Sequence, residues 1–441
     1  MRLTEHRRAR TAFLVLTLFT LMAGDAWRYT IGWTGFAILA GLLTVAFIIM
    51  LVLQRDRWSV GALPYPLLAF LALTVLSLIW SFYPGATALG LAATWCTAIG
   101  GIAVAVTFSW AEILRCLGLA LKFVLGMSLL FEFVVAAFIH RPVLPPVPQP
   151  GIDYANLPDR IPPMLYWSRN ELFHVFDSGK IQGIVGNSTL LSFVALVGIL
   201  VFGIQLAGGH VRRRWGLFWL VIALANLAFS RSATNILGLV AVIVVVGAVL
   251  LVRRMATTKA VITTYVSLIV VALSGLALGL VFRAQVLGLL GKSSDLTNRT
   301  QIWHDVGELA QQRPLFGWGW VSYWVPWVTP FDTLAKNNGV RQLHAHNAWL
   351  DVWFQLGIIG LIIFGALVVS SLARSWLFAV DRPQFSPGKP QNHTAASLLP
   401  LLLLVALIVQ SFAESRLLVE FGLFALALVA VKTRRPEWEP R

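Results

Sequence analysis

Long apolar segments constrain the fold of this chain more than any other sequence feature. A helix that crosses a bilayer needs roughly 20 mostly apolar residues. Of the 441 residues, 58% are hydrophobic and only 12% are charged, against about 25% charged in a typical soluble domain. The sequence therefore predicts an all-α polytopic membrane protein, with residues 1–441 forming a single integral membrane domain. We place about twelve membrane-spanning helices, at residues 11–27, 31–53, 62–82, 88–110, 114–139, 184–208, 215–230, 233–252, 260–282, 347–372, 395–412 and 416–432.

The distribution of basic residues predicts the orientation of these helices. With the N-terminus inside, the inner connections and their flanks hold most of the 34 Lys and Arg residues, whereas the short outer connections hold only Arg28, Arg231 and Arg416. Short cytoplasmic loops are enriched in Lys and Arg, so we expect both termini in the cytoplasm. The net charge of +15 then faces anionic lipid head groups and does not indicate nucleic acid. No small-residue cleavage site follows the first apolar segment, so we do not expect a signal peptide.

Two long segments lie on the predicted outer side. Residues 140–183 are rich in proline, and residues 283–346 contain many aromatic side chains. Loops of this length in compact proteins are usually functional or disordered, and the aromatic content favours ordered structure that partly covers the membrane. The inner connections contain no domain large enough to bind a nucleotide.

A histidine pair ends the second outer segment, in the stretch HAHNAWLDVWFQLG. His344 and His346 could supply two zinc ligands, with His174 or His304 as a third. His346 or Asn347 could instead cap the helix that follows. Asn347, directly after the pair, is also a candidate substrate ligand. Histidine also suits general base catalysis, because its pKa lies near neutrality and a nearby arginine would lower it further. A spacing of two residues does not decide which histidine would act.

Arg299 lies at the start of a predicted amphipathic helix at residues 299–312, in the stretch NRTQIWHDVGELAQQRP. Asn298 can cap this helix, and Pro314 ends it. A cation in the first turn opposes the helix dipole, an arrangement that a bound phosphate would make favourable. The ordinary alternative is a surface arginine paired with Asp295.

Other candidate anion ligands lie in two further outer stretches. Arg231, in FSRSATN, is either an interfacial arginine or part of an anion pocket. Lys180 and Asn187, in SGKIQGIVGNSTLL, could add positive charge and a polar group, although Asn187 would also serve as an ordinary helix cap. No outer segment contains an Asp-x-Asp or Glu-x-Asp pair. The sequence therefore predicts that guanidinium groups, without a metal ion, neutralise a phosphate-bearing substrate.

Tryptophans crowd the stretch FGWGWVSYWVPW. Trp318 and Trp320 could form part of an interfacial aromatic belt. Stacking on a sugar or contact with a lipid tail is the more specific interpretation, and it makes both residues candidates for substrate binding.

These motifs, in this order, resemble the O-antigen ligase family, within the superfamily that also includes O-antigen polymerases and protein O-oligosaccharyltransferases. The resemblance rests on three stretches: SRSA at 230–233, NRTQIWHDVGELAQQRPLFGWG at 298–319 and HAHNAWLDVWFQLGIIG at 344–360. The last two look like the family's "R…W…P…G.G" stretch and its "HN..L…LG..G" signature.

The resemblance implies a lipid-linked glycosyltransferase, with a GT-C-like architecture and a periplasmic active site in the bacterial inner membrane. The donor would be O-antigen polysaccharide on undecaprenyl pyrophosphate, and the acceptor a sugar hydroxyl of lipid A–core. By the family's pattern His346 is the catalytic base, and Arg299 and Arg231 are the essential arginines. His344 is left as a neighbour on the acceptor side. Transfer would invert the anomeric centre and need no metal, nucleotide or other cofactor.

Three alternatives remain. An O-antigen polymerase would use the same donor with a second lipid-linked glycan as the acceptor. A protein O-oligosaccharyltransferase is disfavoured by the short C-terminal portion. A transporter or flippase for a lipid-linked sugar should carry its ionisable groups near the bilayer midplane, in broken helices of an internal repeat. Here these groups gather on the predicted outer side and no repeat is visible.

Overall fold

The computed structural model describes residues 2–150, 152, 161–281, 285, 299–337, 340–381 and 393–434. Helices dominate these ranges, and the described strands are the two-residue strands β1 (Lys336–Asn337) and β2 (Val340–Arg341), which pair antiparallel. The helices are α1 (Arg2–Met22), α2 (Gly24–Leu53), α3 (Tyr65–Leu76), α4 (Pro84–Thr107), α5 (Trp110–Val134), α6 (Ser188–Ala207), α7 (Arg213–Ser230), α8 (Ala233–Arg254), α9 (Thr258–Val281), α10 (Arg299–Gln312), α11 (Phe331–Leu334), α12 (Ala348–Val380), α13 (Leu399–Ser411) and α14 (Glu420–Arg434).

Six described helices are long and apolar enough to cross a membrane. They are α2, α4, α6, α8, α12 and the continuous helix Trp110–Ile139, which extends α5 by a π-helical turn; two further apolar helices, Tyr65–Ile79 and Ala395–Ser411, are shorter. The prediction of an all-helical, multi-pass membrane protein is therefore confirmed. The count of twelve spans and the GT-C-like architecture stay predictions.

Local sequence signals explain several helix starts. Ser109 and Glu112 form a reciprocal capping box at the start of α5, and Asn187 accepts the Leu190 N–H at the start of α6. Pro84 is the first residue of α4, where its missing N–H would have no helical partner in any case.

The helices share one end that carries the outer arginines, called the outer end here. At this end the side chain of Arg28 contacts Asp25 and Glu420, and Glu420 also accepts a hydrogen bond from Arg416 at 2.8 Å. The Glu132 carboxylate accepts from Ser168 Oγ and from the backbone N–H groups of 182 and 183, and so attaches the first outer segment to α5. Arg28 and Glu420 are thus paired with opposite charges, whereas the buried Glu132 carboxyl group is satisfied by neutral hydrogen-bond donors.

A second hydrophobic core lies beside the main core of the helix bundle, at the outer end. Its side chains come from the outer cap, defined as residues 299–337 and 340–356, and from residues at the start of α4. The described part of the second outer segment is thus ordered, as its aromatic content predicts. The buried side chains of this core are Tyr83, Ala86, Ile302, Val306, Ala310, Val321, Trp324, Phe331, Ala335, Ala345 and Phe354.

Helix α12 breaks at Gly357, where the cap meets the bundle. Gly357 has φ 67° and ψ −168°, and an added Cβ would collide with the carbonyl group of Leu315, so the position requires glycine. Residues 314–319 run alongside the break. The Ile358 N–H donates to the Pro314 carbonyl at 2.8 Å, and the Phe354 carbonyl accepts from the Trp318 N–H at 3.0 Å. The inserted segment 314–319 therefore replaces hydrogen bonds that the break removes from the helix.

Candidate functional site

The histidine pair sits on a tightly held turn that leads into α12. His346 adopts a left-handed backbone conformation with φ 52°, which is uncommon for a residue other than glycine. Ala345, between the two histidines, is fully buried. Its carbonyl accepts from Trp303 Nε1 and its N–H donates to Asp351 Oδ2, both at 3.0 Å. Contacts from α10 and α12 thus fix the turn from two sides.

Asp351 holds two separate parts of the site together. This carboxylate is fully buried in the first turns of α12. Besides the Ala345 N–H, it accepts a hydrogen bond from the Ser415 hydroxyl, which follows Glu414 in the connection between α13 and α14. Trp324 Nε1 donates to its other oxygen at 3.0 Å. One carboxylate therefore sets the position of the histidine turn relative to Glu414.

Glu414 joins the two residue types that the sequence predicts for catalysis. Its Oε1 accepts from Arg299 Nη2 at 2.7 Å, and its Oε2 lies 3.1 Å from His346 Nδ1. Arg299 begins α10, whose bounds of Arg299–Gln312 match the predicted amphipathic helix. Asn298 and Asp295, the predicted cap and the alternative ion-pair partner, lie outside the described residues.

The charges of this cluster hold Glu414 in its ionised form. Burial alone would raise the pKa of this carboxyl group. The His346 and His344 rings and the Arg299 guanidinium outweigh that effect and hold the pKa of Glu414 well below its usual range. An ionised Glu414 can only accept, so His346 Nδ1 donates to it. The other ring nitrogen, Nε2, lies 3.0 Å from Oε1 of Gln342.

His344 lies beside His346 as an uncharged neighbour. The two ring centroids are 4.2 Å apart, and His344 Nδ1 accepts the His346 backbone N–H at 3.0 Å. Its Nε2 therefore carries the proton of the neutral ring and faces Glu414 Oε2 at 3.6 Å. Burial, and then the charge of His346, lowers the pKa of His344 well below its ordinary value. The sequence predicts such a shift for the catalytic base from nearby arginines, whereas at His344 burial is the largest cause.

The same three residues form a candidate metal-ligand set. Within the described ranges, the nitrogen and oxygen atoms of His344, His346 and Glu414 lie within 4.8 Å of one another. His304, suggested as a third zinc ligand, instead faces Asp305 and Glu308 on the exposed side of α10. The chemistry of the set suits zinc. However, Glu414 already shares its charge with Arg299, so a cation there would compete with the guanidinium group.

Arg231, Lys180 and Asn187 lie around the first outer segment. Arg231 is exposed at the end of α7, and its Nη1 donates to the carbonyl of Val175 at 3.0 Å. The Lys180 backbone N–H donates to Glu171, and Asn187 caps α6. Within the described ranges, no hydrogen bond or ion pair recorded for Arg231 joins it to the Arg299–Glu414–His346 cluster.

The remaining predicted substrate ligands are engaged inside the protein. Asn347 accepts from the N–H groups of Trp349 and Leu350 and caps α12, as one sequence interpretation held. Trp318 is half-buried, and its Nε1 donates to the carbonyl of Leu309. Trp320 is fully buried, and its Nε1 donates to Thr94 Oγ1 at 2.8 Å. The buried position of Trp320 contradicts the predicted stacking on a substrate, because its ring faces cannot be reached.

Sequence reasoning missed Glu414 and Asp351. Glu414 is an acidic residue in the short predicted outer connection between the last two spans, two residues before Arg416. That connection belongs to the predicted catalytic face, so a single carboxylate there is the sequence feature that could have identified Glu414 as a site residue. Glu414 has no second carboxylate beside it in the sequence and so does not resemble a metal-binding acidic pair.

Comparisons with known proteins agree with the motifs. A family model described as O-antigen ligase matches residues 218–365, a range that contains Arg231, Arg299 and His346. The exopolysaccharide production protein ExoQ of Rhizobium meliloti (strain 1021) is 33% identical over 89 residues. The aligned stretch spans 20% of this chain and 20% of ExoQ. The resemblance that the three motifs predict is therefore confirmed over residues 218–365, which match the O-antigen ligase family model.

Proposed function

We propose that this protein transfers O-antigen polysaccharide from undecaprenyl pyrophosphate to a sugar hydroxyl of lipid A–core, and so completes lipopolysaccharide. The reaction takes place at the outer end of the bundle, on the periplasmic face of the bacterial inner membrane. The chain acts as one membrane domain of about twelve spans with both termini in the cytoplasm. The family assignment and the apolar helices support this proposal.

The observation that carries the proposal is the contact of Glu414 with both His346 and Arg299. Glycosyl transfer from a lipid pyrophosphate needs a base for the acceptor hydroxyl and positive charge for the departing pyrophosphate. The structure brings one group of each kind to the same carboxylate. Such preorganised charges are the largest contribution to catalysis in many enzymes.

His346 is the proposed general base, acting through Nε2. Its Nδ1–H is held by ionised Glu414, which orients the ring and stabilises the positive charge that forms on it. With the Gln342 carbonyl oxygen facing Nε2, the arrangement suits the ring after it has taken up a proton. In the base form Nε2 is an acceptor, so the Gln342 amide turns its NH₂ group towards it or gives way to the acceptor hydroxyl.

Arg299 and Arg231 are the proposed ligands of the pyrophosphate. Arg299 uses Nη2 for Glu414, and a guanidinium group has further N–H donors for phosphate oxygens. The acceptor oxygen attacks the anomeric carbon as its proton passes to His346. The bond from that carbon to the pyrophosphate oxygen breaks, and undecaprenyl pyrophosphate leaves with the electron pair. Attack opposite the leaving group inverts the anomeric centre.

No metal ion or other cofactor is required by this scheme. Guanidinium groups neutralise the leaving group, and the existing pyrophosphate linkage supplies the driving force. Lys180 adds positive charge to the first outer segment, and His344 lies on the acceptor side of His346. Transfer by the purified protein in EDTA supports this scheme. Activity that returns only on addition of a divalent ion would show instead that the His344–His346–Glu414 set holds a metal.

A deletion strain examined on a lipopolysaccharide gel tests the function itself. Loss of the O-antigen ladder with accumulation of long lipid-linked O-antigen identifies a ligase. An O-antigen polymerase is the second candidate, because the relative ExoQ is named for exopolysaccharide production. A polymerase deletion would lose all long chains and leave one repeat attached to core. An unchanged ladder and an unchanged lipid-linked pool would overturn both proposals.

A further inference from the structure

Arg313 is an exposed cation stacked on aromatic rings at the junction of the outer cap and the bundle. It directly follows α10, and its guanidinium carbon lies 3.8 Å from the centroid of the Phe82 ring and 5.5 Å from that of Trp318. The Phe82 and Trp318 rings are themselves 4.7 Å apart. The Phe82 N–H donates to the Trp318 carbonyl, so the inserted segment and the connection between α3 and α4 form one surface.

The hydrogen-bonding edge of this guanidinium group is available. Across the described ranges, no ion pair or side-chain hydrogen bond is recorded for Arg313. Stacking on an aromatic face fixes the plane of the group and leaves its N–H donors pointing outward. A planar cation held in this way suits bidentate binding of a phosphate.

Exposed apolar side chains lie three residues before Phe82 in the chain, and two and three residues after Arg313. Ile79 is 81% exposed, Leu315 57% and Phe316 50%. The part of α12 that follows the break, residues 358–380, is about 34 Å long at 1.5 Å per residue, enough to cross the hydrocarbon layer. A span that begins at the break places Gly357 and the adjoining segment at the outer boundary of the membrane. A ligand of this surface carries a phosphate and acyl chains together.

Distance along α10 decides which lipid substrate the surface fits. Arg313 follows Arg299 by 14 residues, about 20 Å along the helix at 1.5 Å per residue. The reacting carbon of a lipid-pyrophosphate donor is bonded directly to its pyrophosphate, so the donor phosphates must lie beside His346. A phosphate bound at Arg313 is too far from His346 to belong to the donor.

We infer that Arg313, with Phe82 and Trp318, binds a phosphate group of the acceptor glycolipid, whose acyl chains lie on Ile79, Leu315 and Phe316. The glycan of that lipid extends along α10 and brings its terminal hydroxyl to His346. This inference rests on the proposed function, because it assigns the acceptor site of the same reaction.

The test compares Arg313→Gln with wild type in detergent micelles, using a phosphorylated lipid A–core acceptor and the same acceptor after phosphatase treatment. For the phosphorylated acceptor we expect Arg313→Gln to raise KM at least about tenfold, which is the loss of about 1.4 kcal/mol of binding. The KM for the donor should stay unchanged, and the dephosphorylated acceptor should not distinguish the two proteins. Arg313→Lys should give an intermediate KM, since an ammonium keeps the charge without the fork.

Arg341→Gln is the matched control, because Arg341 is an exposed arginine of the same cap whose Nη1 donates to the Pro326 carbonyl. Equal KM values for Arg313→Gln and wild type would overturn the inference, as would an equal loss with both acceptors or a change confined to the donor. Binding of the two acceptors to the His346→Ala protein, with and without Arg313→Gln, gives a readout without catalysis. If wild type transfers to no acceptor, the proposed function fails. Binding that depends on phosphate and on Arg313 would then still show the lipid site.

Discussion

Oε2 of Glu414 lies 3.1 Å from Nδ1 of His346, although the two residues are 68 positions apart in the chain. Its other oxygen, Oε1, lies 2.7 Å from Nη2 of Arg299. A charged hydrogen bond of this kind fixes both partners more strongly than a neutral one. Glu414 is thereby the residue through which the proposed base and the proposed phosphate ligand are oriented together.

Replacing Glu414 by glutamine should lower kcat by about 100-fold, the lower end of the range that general base catalysis contributes. The amide keeps the shape but no longer stabilises a proton on His346, so the acid limb of the pH–rate profile should move to lower pH. Glycan transfer measured between pH 5 and pH 8 checks both effects. Glu112→Gln is the matched control, because glutamine also serves in the capping box that Glu112 forms at the start of α5. A profile identical to wild type would remove Glu414 from the mechanism.

His346→Ala should abolish transfer while expression and membrane insertion stay normal, because the imidazole is only partly buried and its loss leaves no large cavity. A lipopolysaccharide gel of a complemented deletion strain gives the readout. His304→Ala, on the exposed side of α10, should restore a normal ladder. Wild-type ladders from the His346→Ala strain would refute the assignment of the base.

Arg299→Lys should reduce transfer by at least about tenfold, since lysine cannot contact Glu414 and phosphate oxygens as a planar fork. Transfer by the purified variant at saturating acceptor is the measurement. The donor KM and kcat should both change if Arg299 binds the pyrophosphate before and during its departure. Full activity of the lysine variant would mean that charge alone suffices at this position.

Stability should fall as the pH drops below about 6.5, because the folded state lowers the pKa of His344 below its unfolded value of about 6.5. Between those two values the unfolded chain binds more protons, so unfolding is favoured as the pH falls. Glu414 does not add to this slope. Its lowered pKa contributes stability, and that contribution is lost only as the pH falls below the unfolded value of about 4.3. The charged and titratable groups that face His344 are His346, Glu414, Arg299, Arg416 and Tyr323.

His344→Gln should therefore flatten the dependence of the unfolding temperature on pH between pH 5 and pH 6.5. Thermal unfolding in detergent across this range is the measurement, with His304→Gln as the control. An unchanged slope in the His344 variant would assign the pH dependence to other groups.

Asp351→Asn should lower kcat more than it raises the KM of either substrate, because Asp351 positions the histidine turn and the Glu414 connection without facing the substrate. An amide can accept only on its oxygen, so either the Ala345 N–H or the Trp324 N–H loses its partner. Steady-state kinetics of the variant give the two parameters. A purely structural role would instead lower the amount of folded protein while kcat of the surviving fraction stayed normal.

Sequence periodicity predicted the apolar helices and α10 well, since apolar runs and caps are local signals. The observed helix boundaries differ from the predicted ones where local sequence preferences and tertiary contacts compete. For example, α12 continues to Val380, beyond the predicted end at residue 372, and α4 begins at Pro84 instead of residue 88. The break at Gly357 was not predicted, because a single glycine in an apolar run is compatible with a continuous helix. The break depends on contacts with residues 314–319, which are distant in the sequence.

The candidate site was predicted only in part for the same reason. His346 and Arg299 stand in motifs, so their residue types and order identify them. Glu414 has no neighbouring motif, and it contacts them only because α13 and α14 place their connection beside the histidine turn. Trp320 looked like a surface aromatic, yet the inserted segment carries it into the core against Phe70.

The break in α12 also bears on how the chain enters the membrane. The Ile358 N–H donates to Pro314, a residue synthesised well before the helix itself. Left in lipid without that partner, such a backbone group would cost several kcal/mol. Segment 314–319 must therefore fold back onto α12 as the helix enters the membrane, which couples membrane integration of this helix to assembly of the outer cap in a single step of biogenesis.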